Sequence, residues 1–496
     1  MRKTLGSLTQ NVAIYGAGDV AVSALNLLLL PIYVRHLTPE EYGALALLIG
    51  VEAISKITFR WGLDGAFMRF YLERQDRQDL VRLASTLGLF LLAASGLLLA
   101  GFLLASASIA RHLFDDLRYL TPLRIVLINT FLLTFTFFPF HVMRMRGQAV
   151  TFSAFAFGRS AGTLLLRLAL VVGAGWGLMG LMVADLVITM VLLPLLWPWC
   201  RSLFRFVFSR EELRASLSFG LPRLPHGLAQ QALDSGNKYL LSLHVPLAGL
   251  GVYQIGTTLG QSLKFFLSAF ETGWAPFYYT TARQPDAQLV FSKITTYGIA
   301  ILALLVAGLT AIASDLVAVL TNQTYQDAAT VVPLIALGIA WQGVYLLTSI
   351  GLNLTGQTKY YPVSTFAAAA VGLASGAVLM PPFGAIGAAV AFLLSYVTLA
   401  ITAGLLAQRS YPMTYERSRI ARLIAAAALA AAAGLSWPDL PPLAGVLARG
   451  TTVMAVFGAL LLVSGFFRPT ERAFLATAWA RVRRGGERSL EQHRGS

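Results

Sequence analysis

The sequence predicts an all-α polytopic membrane protein. About fourteen spans form two parallel six-helix lobes, with two extra helices toward the C-terminus. Three observations predict this. Hydrophobic residues make up 56% of the 496 and charged residues only 12%, with a mean hydropathy of +0.68; soluble domains carry about 25% charge. Basic residues gather in alternate loops. Landmark residues recur at a nearly constant offset between the two halves.

In order, hydrophobic runs place spans at 11–34, 43–63, 83–105, 120–142, 151–173 and 177–199. The second set falls at 217–243, 249–270, 288–313, 328–353, 360–381 and 384–407, and the last two at 419–436 and 443–466. Most approach the roughly 20 residues that a hydrocarbon core about 30 Å thick requires. The opening MRKTLGSLTQN is basic but lacks a short apolar core with a small-residue cleavage site, so the first helix is expected to be retained. The lobes are expected at 1–205 and 206–412, the added helices at 413–467, and a basic tail at 468–496. That tail reads equally as an amphipathic helix on anionic lipid or as a solvated segment.

The loops differ in charge. One set carries Arg69, Arg74, Arg77, Arg82, Arg144, Arg146, Arg201, Arg205, Arg210, Arg214, Arg283, Lys293, Lys359, Arg409, Arg417, Arg419 and Arg422. The other carries Arg35, Arg111, Arg118 and almost nothing else. The positive-inside rule then puts both termini in the cytoplasm, which requires an even number of spans. This placement explains the net charge of +15 without nucleic acid as a partner. The outer loops are short and leave no room for a folded extracytoplasmic domain. The single cysteine, Cys200, excludes internal disulfides, and six scattered histidines show no ligand spacing, so neither metal nor catalytic set is expected.

The repeat rests on four matches in order. Gly43 and Gly251 each open an even-numbered helix, at an offset of 208, and Lys56 and Lys264 share that offset. Gly147-Gln148 matches Gly356-Gln357 at 209, and Gly177-x-x-Gly180 matches Gly384-x-x-Gly387 at 207. Units of six spans have equal orientation, so the lobes are related by an axis along the membrane normal.

The stretch Gly43–Tyr71 carries the sharpest functional signal. Read as one helix, it puts Glu52, Lys56, Arg60 and Asp64 in a single stripe, four residues apart. Glu52 would lie roughly 14 Å past Gly43, near mid-bilayer, where a charge costs about 2.5–3.5 kcal/mol. Either Glu52–Lys56 and Arg60–Asp64 pair to lock the helix, or the stripe lines a polar cavity. The repeat favours the cavity, with Lys56 and Lys264 facing one space.

Other intramembrane charges are Arg159, Arg167, Lys238 and Arg124, against Asp19, Glu52, Asp185, Asp234 and Glu271. Arg159 and Arg167 share a face and are either free for substrate or paired with Glu52 or Asp19. Lys238 and Asp234, one turn apart, are expected to pair, and Arg223 to reach headgroups. Arginine suits bidentate phosphate contacts and lysine a point charge on phosphate. The candidate substrate-binding set is therefore Lys56, Lys264, Arg60, Arg159 and Arg167, for an anionic, phosphorylated ligand. Candidates for ion coupling or gating are Asp19, Glu52, Asp64, Asp234 and Glu271.

LPIYVRHLTPEEYGALALL (30–48) and GLDGAFMRFY (62–71) resemble the opening of the Wzx-type polysaccharide repeat-unit flippases. So do FGLPRLPHGLAQQALDSGNKYLLSLHVPLAGLGVYQIGTTLG (219–260) and GQTKYY (356–361). The family belongs to the multidrug/oligosaccharidyl-lipid/polysaccharide exporter superfamily, and the resemblance covers about residues 5–410. It implies movement of an undecaprenyl-diphosphate-linked oligosaccharide from the cytoplasmic to the periplasmic leaflet of the bacterial inner membrane, by alternating access. The cell-surface product would be O-antigen, capsule or exopolysaccharide. Implied partners are membrane lipids and the polysaccharide polymerase and chain-length machinery. No cofactor is implied; a H⁺ or Na⁺ gradient is the implied drive.

Three other readings compete. A lipid II flippase is poorly separated by sequence. An ion-coupled drug exporter of the superfamily would have an acidic, aromatic cavity rather than this basic one. A membrane polysaccharide polymerase would carry catalytic charges in sizeable outer loops.

Overall fold

The computed structural model describes residues 29–74 and 76–468. Among these, every regular element is helical. The chain runs α1 (Leu30–His36), α2 (Pro39–Arg60), α3 (Leu63–Glu73), α4 (Arg77–Phe114), α5 (Leu120–Thr134), α6 (Phe137–Met145), α7 (Ala149–Leu168), α8 (Gly177–Cys200) and α9 (Arg210–Gly220). It continues through α10 (Arg223–Ser242), α11 (Leu247–Gly260), α12 (Lys264–Thr281), α13 (Ala287–Leu320), α14 (Ala328–Thr348), α15 (Ile350–Leu354), α16 (Tyr360–Ser410), α17 (Arg417–Leu435) and α18 (Pro442–Val463). Ten helical stretches among the described residues are long and apolar enough to cross a bilayer, so the protein is a multi-pass membrane protein.

Three expectations need revision or completion. The expected first span, 11–34, lies mostly outside the described residues. The spans expected at 217–243 and 249–270 are not among the ten. Gln230, Gln231, Asp234, Asn237 and Lys238 make α10 polar, and a 3₁₀ turn at Gln261–Leu263 separates α11 from α12. The spans expected at 360–381 and 384–407 both lie within α16, on either side of a break at Gly384 (φ 51°, ψ −124°).

The charged stripe is also interrupted. α2 ends at Arg60, and Trp61 (φ 52°) and Gly62 (φ 67°) are both left-handed before α3 begins. Glu52, Lys56 and Arg60 therefore share α2, whereas Asp64 sits in the first turn of α3. The break follows from a close approach: a Cβ on Gly62 would lie 2.4 Å from the Gly220 carbonyl oxygen. Trp61 carries a side chain in this conformation at a cost of about 1–3 kcal/mol.

Local signals set the other end of α2. Pro39 occupies the first turn, where its missing N–H costs nothing. Thr38 and Glu41 form a capping box: the Glu41 amide donates to Thr38 Oγ1 (3.2 Å), and the Thr38 amide to Glu41 Oε2 (3.0 Å). Glu41 Oε1 also accepts from the Leu178 amide (3.3 Å), tying the starts of α2 and α8 together.

Glycines matched at the repeat offset share backbone states. Gly147 and Gly356 both have φ 69°, and Gly177 and Gly384 both have φ 51°. Gln148 donates to Met143 O (2.9 Å) and Gln357 to Leu352 O (2.9 Å), the same Schellman-type closure. Gly43 and Gly251 meet each other's helices reciprocally. A Cβ on Gly43 would lie 1.9 Å from Leu247 O, and one on Gly251 2.2 Å from Pro39 O. Pro39 and Leu247 are themselves 208 apart.

The chain divides into two compact units, residues 1–287 with 316–412, and residues 288–315 with 413–496. The first contains an aromatic core at one end, built from Leu63, Phe67, Leu83, Phe137, Phe138 and Cys200. In the second, residues 288–315 of α13 pack with α17 and α18 through small residues, among them Ala307, Ala311, Ala426 and Ala430, that let helices approach closely. Ion pairs clamp this unit: Arg449 Nη1 to Asp315 Oδ2 (3.3 Å) and Arg419 Nη1 to Glu416 Oε2 (2.8 Å). Arg419, expected in a solvated loop, is only 6% exposed and lies over the Phe466 ring at 4.3 Å.

The α2–α11 contact leaves no room for a side chain. Gly43→Val and Gly251→Val should each destabilise the protein by about 1–3 kcal/mol by overpacking. This would appear as a lower unfolding midpoint in detergent. Gly101→Val is the control, since nothing lies within 4 Å of its Cβ position.

Candidate functional site

The end of α2, the start of α3 and the start of α10 enclose a cavity of about 230 Å³ lined by Lys56, Ile57, Arg60, Gly62, Asp64, Arg223 and Leu224. Three cations face one carboxylate. Arg60 Nη1 lies 3.5 Å from Asp64 Oδ2, and its guanidinium stands 6.0 Å from the centre of the Phe137 ring. Asp64 Oδ1 also accepts from the Gly65 amide (2.9 Å). The Arg60–Asp64 pair thus survives the helix break. Glu52 and Lys56 form no ion pair with each other among the described residues, and Lys56 lines the cavity without an ion-pair partner there.

Arg223 is the residue that sequence reasoning placed elsewhere. It lines this cavity instead of simply reaching headgroups. Its guanidinium packs over Phe219 (4.1 Å), and its Nη1 would lie 2.4 Å from a Cβ on Gly65. Gly65 on one helix leaves the space that Arg223 fills from the other, a pairing that no local sequence pattern indicates.

A second cluster lies on α10, α12 and α16. Lys264 Nζ approaches Asp234 Oδ1 (3.3 Å), and Tyr396 donates a hydrogen bond to the same oxygen. Gln230 Nε2 reaches Asp234 Oδ2 at 3.5 Å. Lys238, buried one turn along α10, is not within ion-pair distance of Asp234; Lys264 takes that place. Lys56 and Lys264 therefore sit in separate clusters. Tyr396 and Gln230 are uncharged, so charge spacing in the sequence gives no sign of them.

The remaining candidates are dispersed. Arg167 forms a bidentate pair with Asp185, through Nε (2.9 Å) and Nη2 (2.6 Å), joining α7 to α8 rather than reaching Glu52. Arg159, half-buried on α7, forms no ion pair among the described residues, and neither does Glu271, exposed on α12. Asp19 lies outside the described residues. Among those described, no three His, Cys, Asp or Glu residues are grouped to hold a metal.

The seam between α2 and α10 continues beyond the cationic cavity. A second cavity of about 400 Å³ lies further along the same two helices, lined by Ile54 on α2, by Leu228, Gly236, Tyr239 and Leu240 on α10, and by Leu113 and Leu373. It is mostly apolar. Backbone contacts close both ends of the seam. At one end Gly43 meets α11; at the other Gly62 meets Gly220. The Gly62 end is also latched by Arg74 Nη2 on Glu212 Oε2 (2.5 Å) and by Arg69 over Phe219 (4.8 Å).

Residues 32–272 match the family model of a polysaccharide biosynthesis protein. No curated protein matches the chain by sequence. Among solved structures, the lipid II flippase MurJ in an inward closed conformation has a TM-score of 0.70 at 11% identity, over 90% of this chain and 99% of that one. An inward-facing multidrug resistance MATE family transporter of the MOP superfamily scores 0.62 at 18% identity, over 82% of this chain and 95% of that one. A MOP superfamily transporter from Pyrococcus furiosus, whose binding pocket has reversed polarity, scores 0.53 at 16% identity, over 84% and 96%. The chain thus has the fold of MOP-superfamily transporters. Over residues 32–272 it also has the sequence pattern of a polysaccharide biosynthesis family, in agreement with the resemblance seen in its motifs.

Removing one partner of the Arg167–Asp185 pair leaves a half-buried charge in hydrocarbon. Arg167→Leu or Asp185→Asn should therefore destabilise by about 3–5 kcal/mol, and Arg167→Leu/Asp185→Leu by much less. Thermal unfolding in detergent reads the difference.

Proposed function

We propose that this protein is a flippase for polyprenyl-diphosphate-linked oligosaccharides. One observation carries the reading: a cationic cavity and an apolar cavity follow each other along one seam. That is the complement of an amphiphile with an anionic head and a hydrocarbon tail. Lys56, Arg60 and Arg223 would hold the diphosphate, and the tail would lie along α10. The fold and the family model support the same class of substrate.

Transport then consists of opening one closed end of the seam at a time. The reciprocal Gly43–Gly251 contact and the shared backbone states of paired glycines support two lobes related by a two-fold axis, which would rock about the cavity. The arginine-rich loops support a cytoplasmic location for the Gly62–Gly220 end, with both termini on that side of a bacterial inner membrane. The likeness to MurJ favours a peptidoglycan precursor as the second reading, since it would use the same diphosphate site.

Asp234 gives the proposal a means of ion coupling. Its Oδ1 faces the Lys264 ammonium in the absence of substrate. Arg223 and Asp234 share α10, so a shift of α10 on binding that parts Asp234 from Lys264 would leave the carboxylate to take a proton or Na⁺ from the driving gradient.

The test is binding of a polyprenyl diphosphate to purified protein. A charged hydrogen bond contributes about 1.5–3 kcal/mol, so Lys56→Ala and Arg60→Ala should each weaken affinity by about tenfold or more. Asp234→Asn should leave affinity within about twofold and reduce the response of transport to the gradient. Unchanged affinity in Lys56→Ala and Arg60→Ala would remove the diphosphate site.

A further inference from the structure

We propose that the groove between α4, α5 and α8 is a binding site for one acyl chain of an anionic phospholipid, with Arg205 on its phosphate. This cavity of about 530 Å³ shares no lining residue with the seam. Its walls are one face of α4 (Gly88, Leu92), the aromatic end of α5 (Phe131, Phe135) and one face of α8 (Leu193, Trp197). The lining is almost wholly apolar, so hydrocarbon fills it at lower cost than water. Leu92 and Trp197 are 57% and 51% exposed, so the groove opens outward, where lipid tails are.

The mouth has polar and charged character. Arg205 lines it, beside Phe206, which is 98% exposed. Val207 and Phe208 beside it are exposed as well; such a run of apolar side chains is unfavourable in water but suits the interfacial layer, where they insert below the headgroups. Arg201, Arg205 and Arg210 are all exposed in this short segment, so the mouth attracts net negative charge.

The segment is held in place. Ser85, buried on α4, accepts a hydrogen bond from the Arg205 amide (2.8 Å) and donates to the Leu203 carbonyl (3.2 Å). Thr86, buried beside it, accepts from the Ser209 amide (3.0 Å). These two hydroxyls fix the backbone on both sides of Phe206. The Trp197 and Phe204 rings stack at 5.4 Å, forming a rigid upper wall. An apolar groove with an arginine at its mouth, on a backbone held by two buried hydroxyls, distinguishes this site from the general lipid-facing surface.

The occupant is a phospholipid and not the transported lipid, because Arg205 is the one cation among the residues lining the groove and the cavity lined by three cations is separate from it. Trp197 supplies the reporter. The protein is reconstituted in phosphatidylcholine bilayers containing a minor fraction of phosphatidylglycerol, with bromine on the acyl chains of one lipid or the other. Quenching then gives the relative affinity of the two lipids at Trp197, with Trp197→Phe isolating its signal from the other tryptophans. Wild type should prefer phosphatidylglycerol several-fold, Arg205→Glu should abolish the preference, and Leu92→Phe, which narrows the groove, should reduce it. Equal affinity in wild type, or a preference that survives both substitutions, would overturn the proposal. Relief of quenching by a trace of polyprenyl diphosphate would overturn it too, by assigning the groove to the transported lipid.

Discussion

A charge inside hydrocarbon must be matched by a partner or by water, and this constraint sorts many of the ionisable groups among the described residues. Arg167 is matched by Asp185, Lys264 by Asp234, Arg449 by Asp315, and Arg419 by Glu416. The first three pairs join one helix to another, the fourth closes the first turn of α17, and none needs a ligand. Lys56 is different: it faces a cavity whose only carboxylate, Asp64, is already paired with Arg60. A third cation, Arg223, lines the same space. The cavity thus has an excess of positive charge that only water or an anion can answer, and the functional reading begins from that excess.

Glycine decides where that cavity can lie. At both ends of the seam the two halves of the first unit approach until backbone touches backbone, at Gly43 with Gly251 and at Gly62 with Gly220. Between these contacts bulkier side chains hold the helices apart, leaving the cationic and apolar cavities. The same approach at Gly62 breaks the helix after Arg60. The geometry of the site and the closure of the seam therefore have one cause.

Much of this was legible in the sequence. Hydropathy and charge alternation indicate a helical membrane protein, and the glycine matches anticipate positions that share φ values to the degree. The Arg60–Asp64 spacing anticipated a pair. Tertiary structure decided the rest. The stripe of four charges looks continuous by spacing, but no periodicity reveals that Gly62 meets Gly220. Lys238 seemed the partner of Asp234 because it is near in sequence, yet the partner is Lys264, thirty residues away. Arg223 looked like a headgroup contact because it stands beside a helix end; Gly65 brings it into the site. Asp315 and Arg449 lie far apart in the chain, and their pairing emerges only when α13 and α18 pack.

The central claim is that the seam opens at its arginine-rich end to admit a diphosphate-linked lipid. It is tested most directly by proteoliposome flipping of a fluorescent polyprenyl-diphosphate oligosaccharide. The comparison is an Arg74→Cys/Glu212→Cys variant bridged by a reducible thiol cross-linker. The one native cysteine, Cys200, is buried and does not interfere. The account predicts transport by the wild type, arrest in the bridged variant and recovery on reduction. Transport at the wild-type rate while bridged, or none by the wild type under either a proton or a sodium gradient, would contradict it.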